Sequence, residues 1–310
     1  METTKRRRIT SPPKQITTWS EAFKHTQHAN NYWSNGSAYA DDVATKYRII
    51  SQKMVDNGED DPLIEDLTWS FVKDLLLDLQ DERELQDKTL NRFLSVISKV
   101  MNQLAVDRVI DYAPVFQRWP EDEGRTNWYS KEQVTRLSEL AVLREKFHLS
   151  DLLFFAAYSG LRRTELVKLR VGDVDWHYEH GPMMHVGGKP HNRTKARNHR
   201  VVGINEKLFT LLERRTQGRE GSERVFYEWT SANQISKAFL PVRKRLSREV
   251  VTIDDTFCFH TLRHTYGTWL CAAGVPTSEV KNLMGHKRIE TTEKYLHNIW
   301  ENKPQLAQAI

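Results

Sequence analysis

Apolar residues recur at steps of three and four along most of this chain, which restricts it to a largely helical fold. The clearest run follows Thr89, a predicted N-cap, and comprises Leu90, Phe93, Leu94, Ile97, Val100, Met101 and Leu104. Similar patterns predict helices over 19–33, 39–55, 68–79, 130–143, 149–158, 161–169, 207–215, 231–248, 261–273, 277–284 and 291–300. Between residues 183 and 204, Gly187, Gly188 and Pro190 interrupt short apolar pieces that are typical of strands. The sequence therefore predicts a mainly α chain with a small β-sheet in an α+β second half.

The length of the chain predicts two domains, because a single hydrophobic core stops growing at roughly 250 to 300 residues. The segment 113–128 contains Pro114, Pro120 and Gly124 and has no sustained period, so it is predicted as the linker. This divides the chain into a basic, disordered arm over 1–16, a helical domain over 17–112, a second domain over 129–300 and a tail over 301–310. The tail is expected to pack on a neighbouring protomer.

Several classes of protein are excluded by composition. No run approaches the roughly 18 apolar residues of a membrane-spanning helix, and the start of the chain has no apolar stretch behind its basic residues. We therefore expect a cytoplasmic protein without a membrane segment. Cys258 and Cys271 fit a reducing compartment and have no CxxC partner, so both are predicted to be core residues and no metal site is expected.

Positive charge is concentrated in the second half of the chain. Residues 1–128 hold 17 Lys and Arg against 21 Asp and Glu, whereas residues 129–310 hold 29 against 20, a net charge of −4 against +9. The segment 189–200 alone contains five Lys or Arg, two His and no acid. This distribution places a basic partner surface, suited to nucleic acid, mainly in the second half.

Four short segments concentrate side chains that could bind or cleave a phosphodiester. They contain Arg162 with Glu165, Lys195, His260 with Arg263, and His286 with Tyr295. Arg263 follows His260 by three residues at the start of a predicted helix, so both can cradle one phosphate from the same face. Glu165 lies one turn after Arg162 and is expected to orient its guanidinium through a bidentate pair.

In order and spacing, these segments resemble the motifs of the tyrosine recombinases of the phage-integrase type. The matching stretches are Ser159-Gly160-Leu161-Arg162-Arg163-Thr164-Glu165-Leu166, Thr194-Lys195, His260-Thr261-Leu262-Arg263-His264-Thr265, and Leu283-Met284-Gly285-His286 followed by Tyr295. The resemblance covers residues 129–298. By its helical pattern and position, the first half resembles the core-binding domain of that family, although its acidic balance is unusual for a DNA clamp.

The resemblance implies a role for each matching residue. Tyr295 attacks a scissile phosphate and forms a 3′-phosphotyrosine, while Arg162, Arg263 and His286 hold the non-bridging oxygens. Lys195 protonates the leaving 5′-oxygen, and His260 assists as an acid or base towards the phenol. Because the phosphotyrosine ester conserves the energy of the cleaved DNA bond, no ATP is expected. Because cationic side chains stabilise the negative charge of the transition state, neither a metal nor another cofactor is expected.

Neighbouring residues are open to other interpretations. Arg163 and His264 are expected to point away from the shared face, towards solvent or the DNA backbone. Lys189 is the competing candidate for the acid that the resemblance assigns to Lys195.

The resemblance also implies the partners of the chain. These are double-stranded DNA with specific recombination sites, further copies of this chain in a tetramer on that DNA, and accessory DNA-bending or directionality proteins. The protein is then expected on the bacterial nucleoid. His260–Tyr266 and Glu290–Tyr295 look closer to integrases of phages and other mobile elements than to chromosome-dimer-resolving recombinases. The alternatives are such a chromosome-dimer-resolving enzyme, a type IB topoisomerase, or a DNA-binding protein that has lost cleavage. The basic start, Lys5 to Arg8, has two open interpretations, phosphate contact or a solubilising tail.

Overall fold

The computed structural model describes residues 16–121, 127–192 and 199–300, the last four by their backbone alone. The chain divides into two compact units, residues 1–123 and residues 124–310. In the described part, the units are mostly helical, and the second also contains a small three-stranded sheet. The predicted fold class is thus confirmed.

The first unit is a helical bundle built around an apolar core. Its helices are α1 (Trp19–Ala29), α2 (Asn31–Ser34), α3 (Ala38–Asp56), α4 (Trp69–Arg83) and α5 (Asp87–Val106). Helix α5 supplies the most regular buried stripe, as its apolar period predicts. Beyond it, Phe116 and Trp119 pack on the same core, and Asn91 exchanges hydrogen bonds with the backbone of Trp119. Residues 113–121 of the predicted linker therefore contribute to this unit.

Two details of the predicted helices in this unit are wrong. The single helix expected over 19–33 is broken at Asn30, whose amide closes α1 while its side chain accepts from the amide of Tyr32 at the start of α2. An asparagine side chain competes in this way with continued helix. Helix α5 begins two residues before Thr89, with Gln86 as its N-cap, so Thr89 lies inside the first turn.

The second unit surrounds one large core with helices. They are α6 (Lys131–Val142), α7 (Phe147–Ser159), α8 (Arg163–Lys168), α9 (Glu206–Thr216), α10 (Ala232–Glu249), α11 (Thr261–Ala272), α12 (Thr277–Met284) and α13 (Glu290–Trp300). Ser130 caps α6 and Ser231 caps α10, each in a capping box with the glutamine three residues later. Local sequence thus determines where these helices start.

The sheet lies where the helical period fails. Strands β1 (Val174–Asp175), β2 (Met183–Val186) and β3 (Arg200–Gly203) form an antiparallel sheet in chain order. Met184 pairs with Val174 on one side and with Val202 on the other, and these side chains join the core. Because side chains alternate along a strand, Arg200 is directed to the same side as Val202 and is also buried.

The prediction that both cysteines are core residues is half wrong. Cys271 is buried on α11, whereas Cys258 is exposed in the turn before that helix. The apolar neighbours of Cys258 in sequence, Phe257 and Phe259, turn into the core and leave the residue between them outside. In the part of the chain that the structure describes, every helix is too short or too polar to span a bilayer.

Candidate active site

An open cavity of about 620 Å³ in the second unit collects the candidate residues. It is lined by Arg162, His260, Arg263, His264, His286, Arg288, Glu290, Thr291, Lys294 and Tyr295. These residues come from segments up to 133 positions apart, so the tertiary fold alone brings them together. Five of the six predicted catalytic residues line the cavity, and the sixth, Lys195, lies outside the described residues.

The break at Gly160 places two arginines side by side. Gly160 ends α7 with a φ of +63°, and a Cβ there would lie 2.2 Å from the Cδ1 of Tyr266, so both the conformation and the space require glycine. Arg162 follows as the N-cap of α8. Arg263, on α11, donates to the carbonyl of Gly160 at 2.5 Å. The turn at Gly160 therefore sets where Arg162 begins α8, and its carbonyl accepts a hydrogen bond from the guanidinium of Arg263.

Arg263 is the most deeply placed cation of the cavity. It is 2% exposed, and its second terminal nitrogen donates to the carbonyl of Met284 at the end of α12. Burial and the nearby charge of Arg162 lower the pKa of Arg263 to about 9, which leaves the guanidinium charged at neutral pH. Among the described residues, no carboxylate pairs directly with Arg263, so this buried cation is available to attract an anion from outside.

Glu165 holds two arginines at once. Its carboxylate accepts from the backbone amide of Arg162 at 2.7 Å and from the Arg162 guanidinium at 3.0 Å. Arg200, at the start of β3, forms the bidentate pair, with distances of 3.1 and 2.7 Å. The prediction of a bidentate Arg162–Glu165 pair is therefore wrong, because Arg200 takes up that geometry from the other side.

Arg200 is the positioning residue that sequence reasoning missed. Besides Glu165, it donates through Nε to the carbonyl of Leu283 at 2.8 Å, and so joins β3 to the end of α12. Arg162 donates to the carbonyl of Gly285 at 3.1 Å, in the same turn. The sequence contained a signal for this role: side chains alternate between the two faces of a strand, so Arg200 points inward on the same face as Val202.

We expect neutralising Glu165 to destabilise the second unit. Burial alone would raise the pKa of Glu165, but the hydrogen bonds and charges of Arg200 and Arg162 lower it to about 2, from 4.5. A carboxyl whose folded pKa is depressed stabilises the fold above its unfolded pKa, and this contribution is lost as the pH falls from about 4.5 to 2. The shift corresponds to about 3 kcal/mol. Glu165→Gln should lower the free energy of unfolding by a similar amount at pH 7.

Urea unfolding of the full chain measures this effect, with Glu139→Gln as the control. Glu139 pairs with Arg136 on the surface and is 54% exposed, so its loss should cost below about 1 kcal/mol. If both substitutions cost the same at pH 7, the buried network does not stabilise the fold as described.

The histidines of the cavity are neutral at pH 7. Burial, with the charges of Arg263 and Arg162, lowers the pKa of His286 to about 3 and that of His260 to about 4. The Nδ1 of His286 lies 2.9 Å from the hydroxyl of Thr292. His260 lies at the rim, where its ring packs edge to face on His264 while part of the residue remains exposed to solvent. A bound phosphate would raise both pKa values towards neutrality, because its negative charge favours the imidazolium.

Tyr295 is buried at the base of the cavity. It is 2% exposed, and burial raises its pKa to about 12, against the opposing charge of Arg263. Its hydroxyl lies 3.0 Å from the Nδ1 of His264. The prediction that His264 points away from the shared face is wrong, because α13 packs against α11 and covers that histidine.

Comparison with known proteins agrees with this geometry. The model of the phage integrase family matches residues 127–301, more than half of the chain. This chain belongs to the phage integrase family. A tyrosine recombinase of Thermosipho africanus is 26% identical over 291 residues, which cover 92% of this chain and 95% of that protein. The integrase of Salmonella phage P22 is 25% identical over 201 residues, or 61% of this chain and 48% of that protein.

Solved integrase structures share the fold. The Tn1549 transposon integrase, solved with a circular intermediate DNA, superposes with a TM-score of 0.71 at 18% identity, covering 90% of this chain and 95% of that one. A lambda integrase dimer bound to a core site gives a TM-score of 0.64 at 16% identity, over 91% of this chain and 78% of that one. These structures show a shared fold, and the family match makes the chain a DNA recombinase of the tyrosine recombinase type.

Two further predictions concern Arg163 and Lys189. Arg163 does not line the cavity; it donates to the hydroxyl of Ser236 on α10, so it contacts the protein instead of the expected solvent. Lys189, the competitor of Lys195, donates to the carbonyl of Gly172 at 2.7 Å and pairs with buried Asp173 at 3.3 Å. These contacts occupy the Lys189 ammonium within its own unit.

Proposed function

We propose that this chain is a site-specific recombinase that cleaves and rejoins duplex DNA through a 3′-phosphotyrosine on Tyr295. The convergence of Tyr295 with Arg162, Arg263 and His286 on one cavity carries the proposal. A phosphodiester is anionic and gains further negative charge as it is attacked, so a tyrosine hydroxyl beside two guanidinium groups suits its cleavage.

The reaction balances without an external energy source. The Oη of Tyr295 gives its proton to a histidine of the cavity and forms a bond to phosphorus, the bond from phosphorus to the 5′-oxygen breaks, and the released 5′-oxygen takes a proton from Lys195. The reverse attack by a 5′-hydroxyl of the partner strand releases Tyr295. One phosphodiester is thus exchanged for a phosphotyrosine ester and regained, so no ATP is consumed.

Charge in the transition state is balanced by side chains of the chain itself. Arg162 and Arg263 donate to the non-bridging oxygens, and His286 adds a third donor. His260 lines the same cavity and assists as an acid or base. On this proposal, neither a metal ion nor another cofactor takes part.

The partners follow from the same proposal. The second unit carries the cavity, and the helical first unit contacts the DNA as a second domain. Residues 1–15 of the predicted basic arm lie outside the described residues. A lambda integrase tetramer has been solved on a Holliday junction, which supports a tetramer for this chain. The predicted tail over 301–310 lies outside the described residues. The motifs around Arg263 and Tyr295 support an integrase of a mobile element. On this proposal it acts on nucleoid DNA in a bacterial cytoplasm, and accessory DNA-bending or directionality proteins assist it.

Covalent capture in the presence of EDTA tests the proposed function. The substrate is a nicked duplex built from the recombination site, which sequencing of the junctions flanking the gene would identify. After a gel shift has shown that the chain binds this duplex, we expect a protein–DNA adduct that survives denaturation and forms equally well with EDTA. Peptide mapping should place the DNA on Tyr295. Binding without an adduct, or an adduct that requires magnesium, would contradict the proposal.

A further inference from the structure

The hydroxyl of Tyr295 has one described hydrogen-bonding partner, and it is not the histidine that the family resemblance assigns to the phenol. The Nδ1 of His264 lies 3.0 Å from the Tyr295 Oη, and the two rings are 5.7 Å apart. His260 contacts the ring of His264 edge to face at 4.8 Å and is therefore one residue further from the phenol. The order from the rim inward is His260, His264 and Tyr295.

The ring of Tyr295 is held so that its hydroxyl meets His264. Gly267, three residues after His264 on α11, leaves the space in which that ring lies. A Cβ on Gly267 would come within 2.7 Å of both Tyr295 Cε2 and Met284 Sδ. Tyr295, Met284, Val280 and Cys271 form a small apolar cluster of their own. The close contact of α11 with α13 thus directs the phenol.

At pH 7 the imidazole of His264 is neutral and the phenol of Tyr295 keeps its proton, which are the states that a transfer between them requires. A bound phosphate would raise the pKa of His264 and make it a stronger base, because the negative charge favours the imidazolium. Burial lowers the pKa of His264 to about 4, with smaller effects from His260, the N-cap of α11, and from the charge of Arg263 on that helix. The other groups that line the same cavity are His286 after α12, Arg162 before α8, and Arg288, Glu290 and Lys294 near or on α13. His264 is therefore a neutral ring at pH 7, with one nitrogen free to accept a proton. Tyr295 keeps its proton until attack begins.

We propose that His264 accepts the phenolic proton of Tyr295 through Nδ1 as the bond from Oη to phosphorus forms. The proposal deepens the proposed function and rests on it. The proton moves from Oη to Nδ1, the negative charge moves from Oη onto the phosphoryl oxygens, and the resulting imidazolium faces that anion. During rejoining, the imidazolium returns the proton to Tyr295 as the phosphotyrosine bond breaks. His264 touches the reacting atom and is a catalytic residue, additional to the six that the sequence motifs indicate.

Single-turnover cleavage of the nicked duplex tests this step with His264→Asn. Asparagine places a polar atom near the position of Nδ1, so it keeps a hydrogen bond to the phenol but cannot take up the proton. We expect cleavage at pH 7 to slow by about 10²-fold or more, with DNA affinity unchanged within about tenfold. His148→Asn is the matched control, because His148 is exposed beside Glu228 outside the cavity, and it should cleave like the unsubstituted chain.

The pH profile separates proton transfer from a merely structural role. With His264→Asn, hydroxide must ionise the phenol, so the rate should rise about tenfold per pH unit between pH 7 and 9 while the unsubstituted chain levels off. A fluorinated tyrosine at position 295, whose phenol ionises at lower pH, should narrow the deficit of the variant. A bridging 5′-sulfur in the substrate should leave the deficit of the variant unchanged, because the sulfur removes only the need for an acid and the phenolic proton must still be removed.

Two results would overturn the inference, and they differ from a failure of the proposed function. If His264→Asn cleaves at the rate of the unsubstituted chain, or is slow with an unchanged pH profile and no gain from fluorinated tyrosine, His264 is not the proton acceptor. In either case the unsubstituted chain still forms its adduct through Tyr295. If the unsubstituted chain binds the duplex and forms no adduct, the proposed function itself is wrong.

Discussion

Replacing Tyr295 with phenylalanine should abolish the covalent protein–DNA adduct and leave affinity for the duplex within about tenfold. The substitution removes the one atom that bonds to phosphorus, while Arg162 and Arg263 remain to hold the phosphate. The ring keeps its place over Gly267, because that contact involves ring carbons and not the hydroxyl. The expected loss of cleavage is therefore complete and specific.

Denaturing gels of the nicked duplex after incubation with Tyr295→Phe measure this outcome. A gel shift under native conditions is the control, since it reports binding without chemistry. A covalent adduct in the variant would assign the nucleophile to another residue. Loss of the native shift together with the adduct would show that the hydroxyl matters for binding, contrary to the proposal.

Replacing Lys195 with alanine should slow cleavage by something like 10²- to 10⁴-fold, the usual contribution of a positioned general acid, with little loss of DNA affinity. A duplex with a bridging 5′-sulfur at the scissile position has a leaving group that needs no proton. On that substrate Lys195→Ala should cleave nearly as fast as the unsubstituted chain. Arg263→Ala should stay slow on both substrates, because the non-bridging oxygens still carry unbalanced charge.

Lys189→Ala is the matched comparison for Lys195→Ala. The ammonium of Lys189 is engaged with Gly172 and Asp173, so its loss should affect stability more than cleavage. If the sulfur substrate restores cleavage to Lys189→Ala and not to Lys195→Ala, the acid is Lys189. Rates on the oxygen and sulfur substrates, measured in single turnover for all three variants, decide between the two lysines.

Much of the local structure could be predicted because it is encoded by short-range interactions. The stop at Gly160, the start at Ser130 and the sheet around β2 and β3 each depend on residues close together in sequence. Helix capping and φ preference act over a few residues, so the pattern indicates them without knowledge of the fold. The break at Asn30 was missed because one residue, within an otherwise helical pattern, ends α1 through its backbone amide and begins α2 through its side chain.

The buried contacts of the site depend on segments that meet only in the tertiary structure. Helical spacing predicts that Glu165 pairs with Arg162, three residues before it. In the structure, the bidentate partner of Glu165 is Arg200, 35 residues away. Spacing along one helix likewise could not place His264, because its partner Tyr295 lies on another helix that packs across α11. In both cases, the partner is chosen by which elements pack together.

The sequence by itself therefore determined the family, the fold class and which types of side chain could handle a phosphodiester, since motifs, helical period and charge are all properties of local residue order. Only the tertiary structure decided that Arg200 shares Glu165 and that His264, rather than His260, contacts the phenol of Tyr295. The physical reason is that a hydrogen bond depends on the distance and direction between two groups, and for groups on different elements the packing of the core sets both.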